Sequence, residues 1–387
     1  MRFEARYAMR EARGVGVGVQ IRQSRIAYRV LLLFSIFHFP FSIPFTSPLN
    51  AQTRLEIQTA PGFVWAHNNS VAHLRPGRPL WLGLSLMPAR WQRNPGLELY
   101  RQAHIGLTLG YIHFRYPAVM GQSLVPMAFF ENQPRRWWFY RVSGGLAFNS
   151  HAYNLADNPF NTAIGAPIAW ALQAQLGAEA HFSRSYLRAG LQITHLSNGA
   201  WRLPNSGINV PAAFLTLGLL RGQAAPLRPA ATTDSLPLPR WHLNIIAAGS
   251  IKSADVYPAP YFLLGVFRLE AVRKIGSRSG LTFGVDAIYN PALPADYTQL
   301  DKPHPFPLRL GLTAGHDWFL TRQLAITTQL GGYVYNPYPT VHKPIYQRYG
   351  LRFQAAHRLS YAIWLRSHLG QADCVEWALQ YRVWSAE

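Results

Sequence analysis

Apolar and polar residues alternate with a period of two along most of the chain after residue 52. In the segment 170–182, for example, Gln173 and Gln175 alternate with Leu172 and Leu176. The same alternation returns in 281–290, 308–318, 348–355 and 376–383. Strands of membrane-spanning barrels have this pattern, with apolar side chains toward lipid and polar side chains toward the lumen. The pattern therefore predicts many amphipathic antiparallel strands.

The number of such segments predicts an all-β fold, a transmembrane antiparallel β-barrel of the outer membrane. We expect about 14 strands, with 12 and 16 also compatible, because bacterial single-chain barrels have even strand numbers. A Pro-rich stretch, 223–239, has no periodicity and is expected to be a long loop between 52–222 and 240–387. We expect a single barrel, since about seven strands in each half would close poorly into two.

The first 51 residues have a different composition, which indicates an export signal. An apolar stretch runs from Val30 to about Phe45, and Leu49-Asn50-Ala51-Gln52 offers a cleavage site after Ala51. The segment before it carries Arg2, Arg6, Arg10, Arg13, Arg22, Arg25 and Arg29. We predict a signal peptide over 1–51, with an uncleaved anchor as the alternative. No later run of about 18 apolar residues follows, so the sequence predicts no transmembrane helix after it.

Composition and charge support a membrane setting. Hydrophobic residues make up 49% of the chain and charged residues 14%, whereas about a quarter of residues are charged in a soluble domain. The formal net charge is +20, and the signal segment, with seven arginines and two glutamates, contributes +5 of it. The remaining +15 favours an anionic partner, and export favours the phosphorylated lipid of the outer leaflet over nucleic acid. A generic basic surface is the alternative.

Two polar residues interrupt the lipid-facing pattern of one strand. Leu191 and Ile193 take the lipid-facing parity, and His195 and Ser197 follow on the same face. Polar groups directed toward hydrocarbon are costly, and they are therefore candidates for function.

The next strand presents a third polar residue on its own lipid-facing side. Leu215 and Leu217 mark that face, and counting back by twos reaches Asn209. The turn-forming segments Asn198-Gly199 and Pro204-Asn205-Ser206-Gly207 separate the two strands. We therefore expect His195, Ser197 and Asn209 to converge.

These three residues are of the types that form the catalytic group of a serine esterase. A histidine on the same face as a serine can take the hydroxyl proton, and a third group can fix the imidazole tautomer. We predict Ser197 as nucleophile, His195 as general base and Asn209 as the orienting group. Asn198 or the backbone N–H groups near Gly199 are the candidates for stabilising an oxyanion. Such a reaction requires no cofactor. A site on the lipid-facing side of the barrel suits a substrate that is itself in the membrane.

These residues also resemble a known family. His195-Leu196-Ser197-Asn198-Gly199, followed by Pro204-Asn205-Ser206-Gly207-Ile208, is similar to the signature of the outer-membrane lipid A 3-O-deacylases, the PagL-like acyloxyacyl hydrolases. The resemblance implies a small eight-stranded barrel and an ester-linked acyl chain of lipid A as the substrate. It also implies that the histidine and serine of the motif are base and nucleophile.

Two features depart from the family pattern. The family has a glutamate fourteen residues after the histidine, where this chain has Asn209. An amide can orient an imidazole but cannot stabilise an imidazolium by charge, so we expect slower catalysis or an acid from elsewhere. The chain after residue 51 is also about twice the length of a typical member, so the resemblance covers 100–222, with motif support in 187–219.

Other candidates favour structural roles. Arg366, His368, Asp373 and Glu376 are predicted to form an ion-pair network in the lumen. No cysteine and histidine spacing typical of a structural zinc site occurs, and Cys374 is the only cysteine, so no intramolecular disulfide is expected.

The alternative function is a non-enzymatic barrel. It would be a narrow channel or a structural protein that binds lipopolysaccharide. Its important residues would be the lumen arginines Arg268, Arg348, Arg352 and Arg382.

Overall fold

The computed structural model describes residues 52–93, 95–100, 102–222, 240–254, 260–297, 305–339, 341 and 343–386. The predicted signal peptide and the Pro-rich loop 223–239 lie outside these residues. Within the described ranges the chain forms sixteen strands, one short α-helix, α1 (Leu293–Asp296), and three 3-10 helices, Asn69–Leu74, Trp91–Arg93 and Pro95–Leu99. No helix in these ranges is long and apolar enough to cross a membrane.

The strands form two closed antiparallel barrels of eight strands each. The first barrel contains β1 (Thr53–Pro61), β2 (Leu80–Met87), β3 (Ala103–His113), β4 (Gln122–Arg135), β5 (Trp138–Asn149), β6 (Ile168–His181), β7 (Ser185–Ser197) and β8 (Ile208–Arg221). The second barrel contains β9 (Trp241–Ser253), β10 (Tyr261–Gly276), β11 (Ser279–Tyr289), β12 (Leu308–Phe319), β13 (Leu324–Tyr335), β14 (Ile345–Gln354), β15 (Leu359–His368) and β16 (Gln371–Ala386).

The all-β, antiparallel barrel fold is confirmed, but the expectation of a single barrel is wrong. β1 pairs with β8, for example Leu55 with Leu219, and β9 pairs with β16, for example Gly249 with Trp377. The sixteen strands of the described ranges are the upper end of the predicted number. Each half provides eight strands rather than about seven, which is enough for a small barrel whose interior is filled by side chains.

The two faces of the strands differ as the alternation predicts. On the outer face Leu191 is 69% exposed and Leu172 is 54% exposed, whereas Gln175 on the inner face is only 4% exposed. This arrangement, apolar outside and polar inside, is that of a membrane-spanning barrel.

The lumen of the first barrel is crossed by buried ion pairs. Arg188 lies 2.5 Å from Glu56, 2.7 Å from Glu131 and 2.5 Å from Glu179. Arg141 binds Glu56 and Glu131 at 2.7 and 2.6 Å. Because these contacts join strands on opposite walls, they fill the centre of the barrel.

The lumen of the second barrel is filled in the same way. Arg366 binds Asp373 at 2.9 Å and Glu376 at 2.7 Å, which confirms the predicted network near the C-terminus. Arg348 joins Glu376 to Asp286 at 2.7 and 2.9 Å. Buried side chains that cross the interior argue against an open channel through either barrel.

The connections at the two ends of the first barrel differ in length. Ser197 lies at the end where the loops 62–79, 114–121, 150–167 and 198–207 connect the strands. The opposite end has two tight turns, 136–137 and 182–184, and the longer connection 88–102.

The two barrels contact each other directly at several points. The Tyr100 hydroxyl donates to the Phe319 carbonyl at 2.8 Å, and Arg322 binds Glu98 at 2.6 Å. Elsewhere the rings of Trp170 and Trp377 lie 5.8 Å apart.

The lumen network predicts a large effect for a single truncation. Glu131→Ala leaves Arg141 and Arg188 buried with fewer partners, and breaking such a network costs about 3–5 kcal/mol. The neutral lumen change Thr108→Ala removes one hydroxyl contact and should cost about 1 kcal/mol. Urea unfolding in lipid vesicles measures both, and equal losses would contradict the role assigned to the network.

Candidate active site

The site is built at the ends of β7 and β8, where the two strands reach the long loops. His195 and Asn209 are register partners, and the His195 Nδ1 lies 2.7 Å from the Asn209 Oδ1. On the other side of β7, His195 is opposite Leu172, which points outward. Pairing between the strands therefore holds the imidazole and the amide together on the outer face of the barrel.

Ser197 is held by the loop that follows it. The backbone N–H of Gly199 donates to the Ser197 Oγ at 3.1 Å, and the Asn205 Nδ2 lies 2.9 Å from the same oxygen. The Asn205 Oδ1 accepts the backbone N–H of Asn198 at 2.9 Å, which fixes the direction of the amide. The Ser197 hydroxyl itself donates to the Asn205 Oδ1 at 3.3 Å, so both ends of the Asn205 amide contact it.

His195 and Ser197 share a strand face, two residues apart, as the parity argument predicts. The described hydrogen bonds of the Ser197 Oγ are with Asn205 and with the backbone N–H of Gly199, and none joins it to His195 in this part of the chain. Such contacts often tighten only when substrate binds. A Cβ added at Gly207, whose φ is +68°, would lie 2.9 Å from the His195 Cε1, so the imidazole packs closely on this turn.

The structure separates the two candidates for oxyanion stabilisation. The Asn198 side chain donates to the Arg202 carbonyl at 2.7 Å, inside the loop, and none of its described hydrogen bonds is with the Ser197 Oγ. The backbone N–H of Gly199 does contact the Ser197 oxygen. The side-chain nitrogen of Asn205, a residue that the sequence identifies only as part of a turn, lies 2.9 Å from the same oxygen.

A second histidine contacts the site from a distant part of the sequence. His67, in the loop after β1, has its Nδ1 3.1 Å from the Asn209 Nδ2 and its Nε2 3.1 Å from the Ser206 carbonyl. It is brought there because the chain continues to pair with β8 beyond β1, where the Trp65 N–H donates to the Asn209 carbonyl at 3.0 Å. His67 lies outside the sequence motif, so the motif did not predict its place in the site.

The second barrel covers one side of the site. A Cβ added at Gly199 would lie 2.3 Å from the Val375 Cγ2, so Gly199 packs against β16. Trp170, the register partner of Ser197, contacts Trp377 of the same strand. Ser197 is accordingly only 7% exposed.

Metal ligands do not cluster in the described ranges. No group of three or more histidine, cysteine, aspartate or glutamate side chains there is arranged to hold a metal ion.

The fold defines the class: an all-β protein of two antiparallel barrels with apolar outer walls and a polar serine–histidine cluster on the first. Two family models match the chain. The model of the lipid A 3-O-deacylase (PagL) matches residues 82–217, and that of the acyloxyacyl hydrolase C-terminal domain matches residues 241–385. Together they cover more than half of the chain. The chain belongs to the PagL family.

Similar solved structures are other barrels. The crystal structure of the outer membrane enzyme PagL is 18% identical over 42% of this chain and 97% of its own, with a TM-score of 0.30. The outer membrane protein Omp33 of Acinetobacter baumannii is 7% identical over 86% of this chain and 99% of its own, with a TM-score of 0.18. No curated protein matches the chain.

The contact between Gly199 and the second barrel predicts a coupled effect on stability. Gly199→Ala adds a methyl group against Val375 at a residue whose φ is +68°. In a Val375→Ala chain the clash is relieved, and the left-handed backbone alone should cost about 1–2 kcal/mol. Unfolding free energies of the four chains form the test, and the cost of Gly199→Ala should be larger with Val375 present. An identical cost in both backgrounds would contradict the contact.

Proposed function

We propose that this protein is an outer-membrane esterase that removes an ester-linked acyl chain from lipid A. The observation that carries the proposal is the arrangement of Ser197 and the hydrogen-bonded pair His195–Asn209 on the outer wall of a barrel. Family membership supports the reaction class. A site on the outer wall, away from the filled lumen, suits a substrate that lies in the membrane.

Ser197 attacks the ester carbonyl in the first half of the proposed reaction. Its Oγ forms a bond to the carbonyl carbon while its proton passes to the His195 Nε2. The backbone N–H of Gly199 and the Asn205 Nδ2, which both contact the Ser197 oxygen, are close enough to donate to the oxyanion. His195 then returns the proton to the departing sugar oxygen as the ester bond breaks, and an acyl-serine remains.

Water completes the cycle. His195 takes a proton from a water molecule as the water oxygen attacks the carbonyl carbon of the acyl-serine. His195 then returns the proton to the Ser197 Oγ as the fatty acid leaves. Asn209 orients the imidazole in both halves but supplies no negative charge. We therefore expect turnover slower than that of an equivalent site with a carboxylate.

The lengths of the loops indicate which leaflet of the membrane Ser197 faces. Barrels of the outer membrane have short periplasmic turns and longer extracellular loops. Ser197 lies at the end with four long loops, which favours the outer leaflet, where the phosphorylated lipid A is found. The basic balance of the chain and the predicted signal peptide support the same location.

The alternative, a non-enzymatic barrel, draws less support from the lumen. Arg268, Arg348 and Arg352 are all held in buried ion pairs, so their charges are already partnered within the barrel. Arg382 is buried as well. A structural or lipopolysaccharide-binding role remains the outcome that an inactive protein would support.

The proposal predicts the loss of one acyl chain from lipid A in cells that express this protein. Mass spectrometry of lipid A should show deacylation with the wild-type chain and none with Ser197→Ala, which has no nucleophile. Ser183→Ala, in the exposed turn at the far end of the same strand, is the matched control and should retain activity.

Comparable amounts of each variant in the outer membrane make the comparison valid. Unchanged lipid A with the wild-type chain would contradict the esterase. Deacylation by Ser197→Ala at the wild-type rate would contradict the assigned nucleophile.

A further inference from the structure

We infer that His67 is a positioning residue that sets the direction of the Asn209 amide and, through it, the tautomer of His195. The inference rests on the proposed function, because it describes how the base of that site is prepared. It addresses the position at which the chain carries an amide in place of a carboxylate.

The hydrogen bond between His67 and Ser206 has only one possible direction. The Ser206 carbonyl can only accept a hydrogen bond, so the His67 Nε2, 3.1 Å away, must donate. A neutral His67 with its proton on Nε2 has an acceptor at Nδ1. That nitrogen lies 3.1 Å from the Asn209 side-chain nitrogen, which therefore donates to it.

The orientation of the Asn209 amide in turn determines the tautomer of His195. With the Asn209 Nδ2 donating to His67, the Oδ1 faces the His195 Nδ1 at 2.7 Å and must accept a hydrogen bond from it. His195 then carries its proton on Nδ1 and keeps an unprotonated Nε2. Only this tautomer can take the proton of Ser197.

An amide needs this support because it has a donor end and an acceptor end. If the Asn209 amide turned round, its NH₂ group would donate to the His195 Nδ1 and the imidazole proton would move to Nε2. The base would then be blocked. A carboxylate has two acceptor oxygens and no such ambiguity, so His67 matters because residue 209 is asparagine.

Substitutions at His67 should therefore follow their hydrogen-bonding capacity. His67→Gln provides both an acceptor and a donor and should keep most of the activity. His67→Ala leaves the amide free to turn, and the loss of one orienting hydrogen bond should lower kcat by about two- to tenfold. His67→Lys offers only donors, so it should turn the amide and lower kcat further, with KM little changed.

The double substitutions distinguish positioning from a general structural role. In an Asn209→Glu chain the residue at 209 accepts from His195 whatever stands at 67. The order of the three His67 variants should therefore disappear in that background. If it persists there, or if His67→Gln is as impaired as His67→Ala in the wild-type background, the inference is overturned.

A spectroscopic measurement separates this inference from the proposed esterase activity. In protein labelled with ¹⁵N-histidine and held in detergent micelles, the ring nitrogen shifts report which nitrogen of His195 is protonated. We expect the proton on Nδ1 in the wild type and on Nε2 in His67→Lys. This readout holds even if no deacylation is found, whereas a proton on Nε2 in the wild type would overturn the inference with the esterase intact.

Discussion

Closure of each sheet on itself is the constraint on which the rest of the structure depends. Every backbone N–H and C=O within hydrocarbon must be paired, and a closed barrel leaves no strand edge unpaired. Closure with only eight strands makes the lumen narrow, and buried ion pairs such as those of Arg188 fill it. Chemistry is therefore left to the outer wall and the loop ends, where His195 and Ser197 lie.

The sequence predicted the strands and their faces well, because a period of two records directly which side chains face lipid. Leu172 and Gln175, assigned to opposite faces, are exposed and buried as expected. It did not predict that β1 closes on β8, since alternation is the same in a sheet of eight strands and in one of sixteen. Closure depends on which edges meet, and that information is not local.

The same distinction applies to the candidate site, where residues close in sequence were predicted and residues distant in sequence were not. His195, Ser197 and Asn209 were found because they lie on adjoining strands that are consecutive in the sequence, so that parity and a single loop relate them. His67 was missed because 142 residues separate it from Asn209, and the contact of Gly199 with Val375 was missed because it joins two barrels. The polar run His67-Asn68-Asn69, in the loop that follows the amphipathic strand β1, was the one available signal for the first of these.

The central claim is that Ser197 is a nucleophile activated by His195 on the outer wall of the first barrel. The most direct test is to treat the folded protein in micelles with a long-chain alkyl fluorophosphonate, which reacts with activated serines, and to map the adduct by mass spectrometry. The account predicts one adduct, on Ser197, that is lost in His195→Ala. An adduct on another serine, or one on Ser197 that forms equally fast without His195, would contradict it.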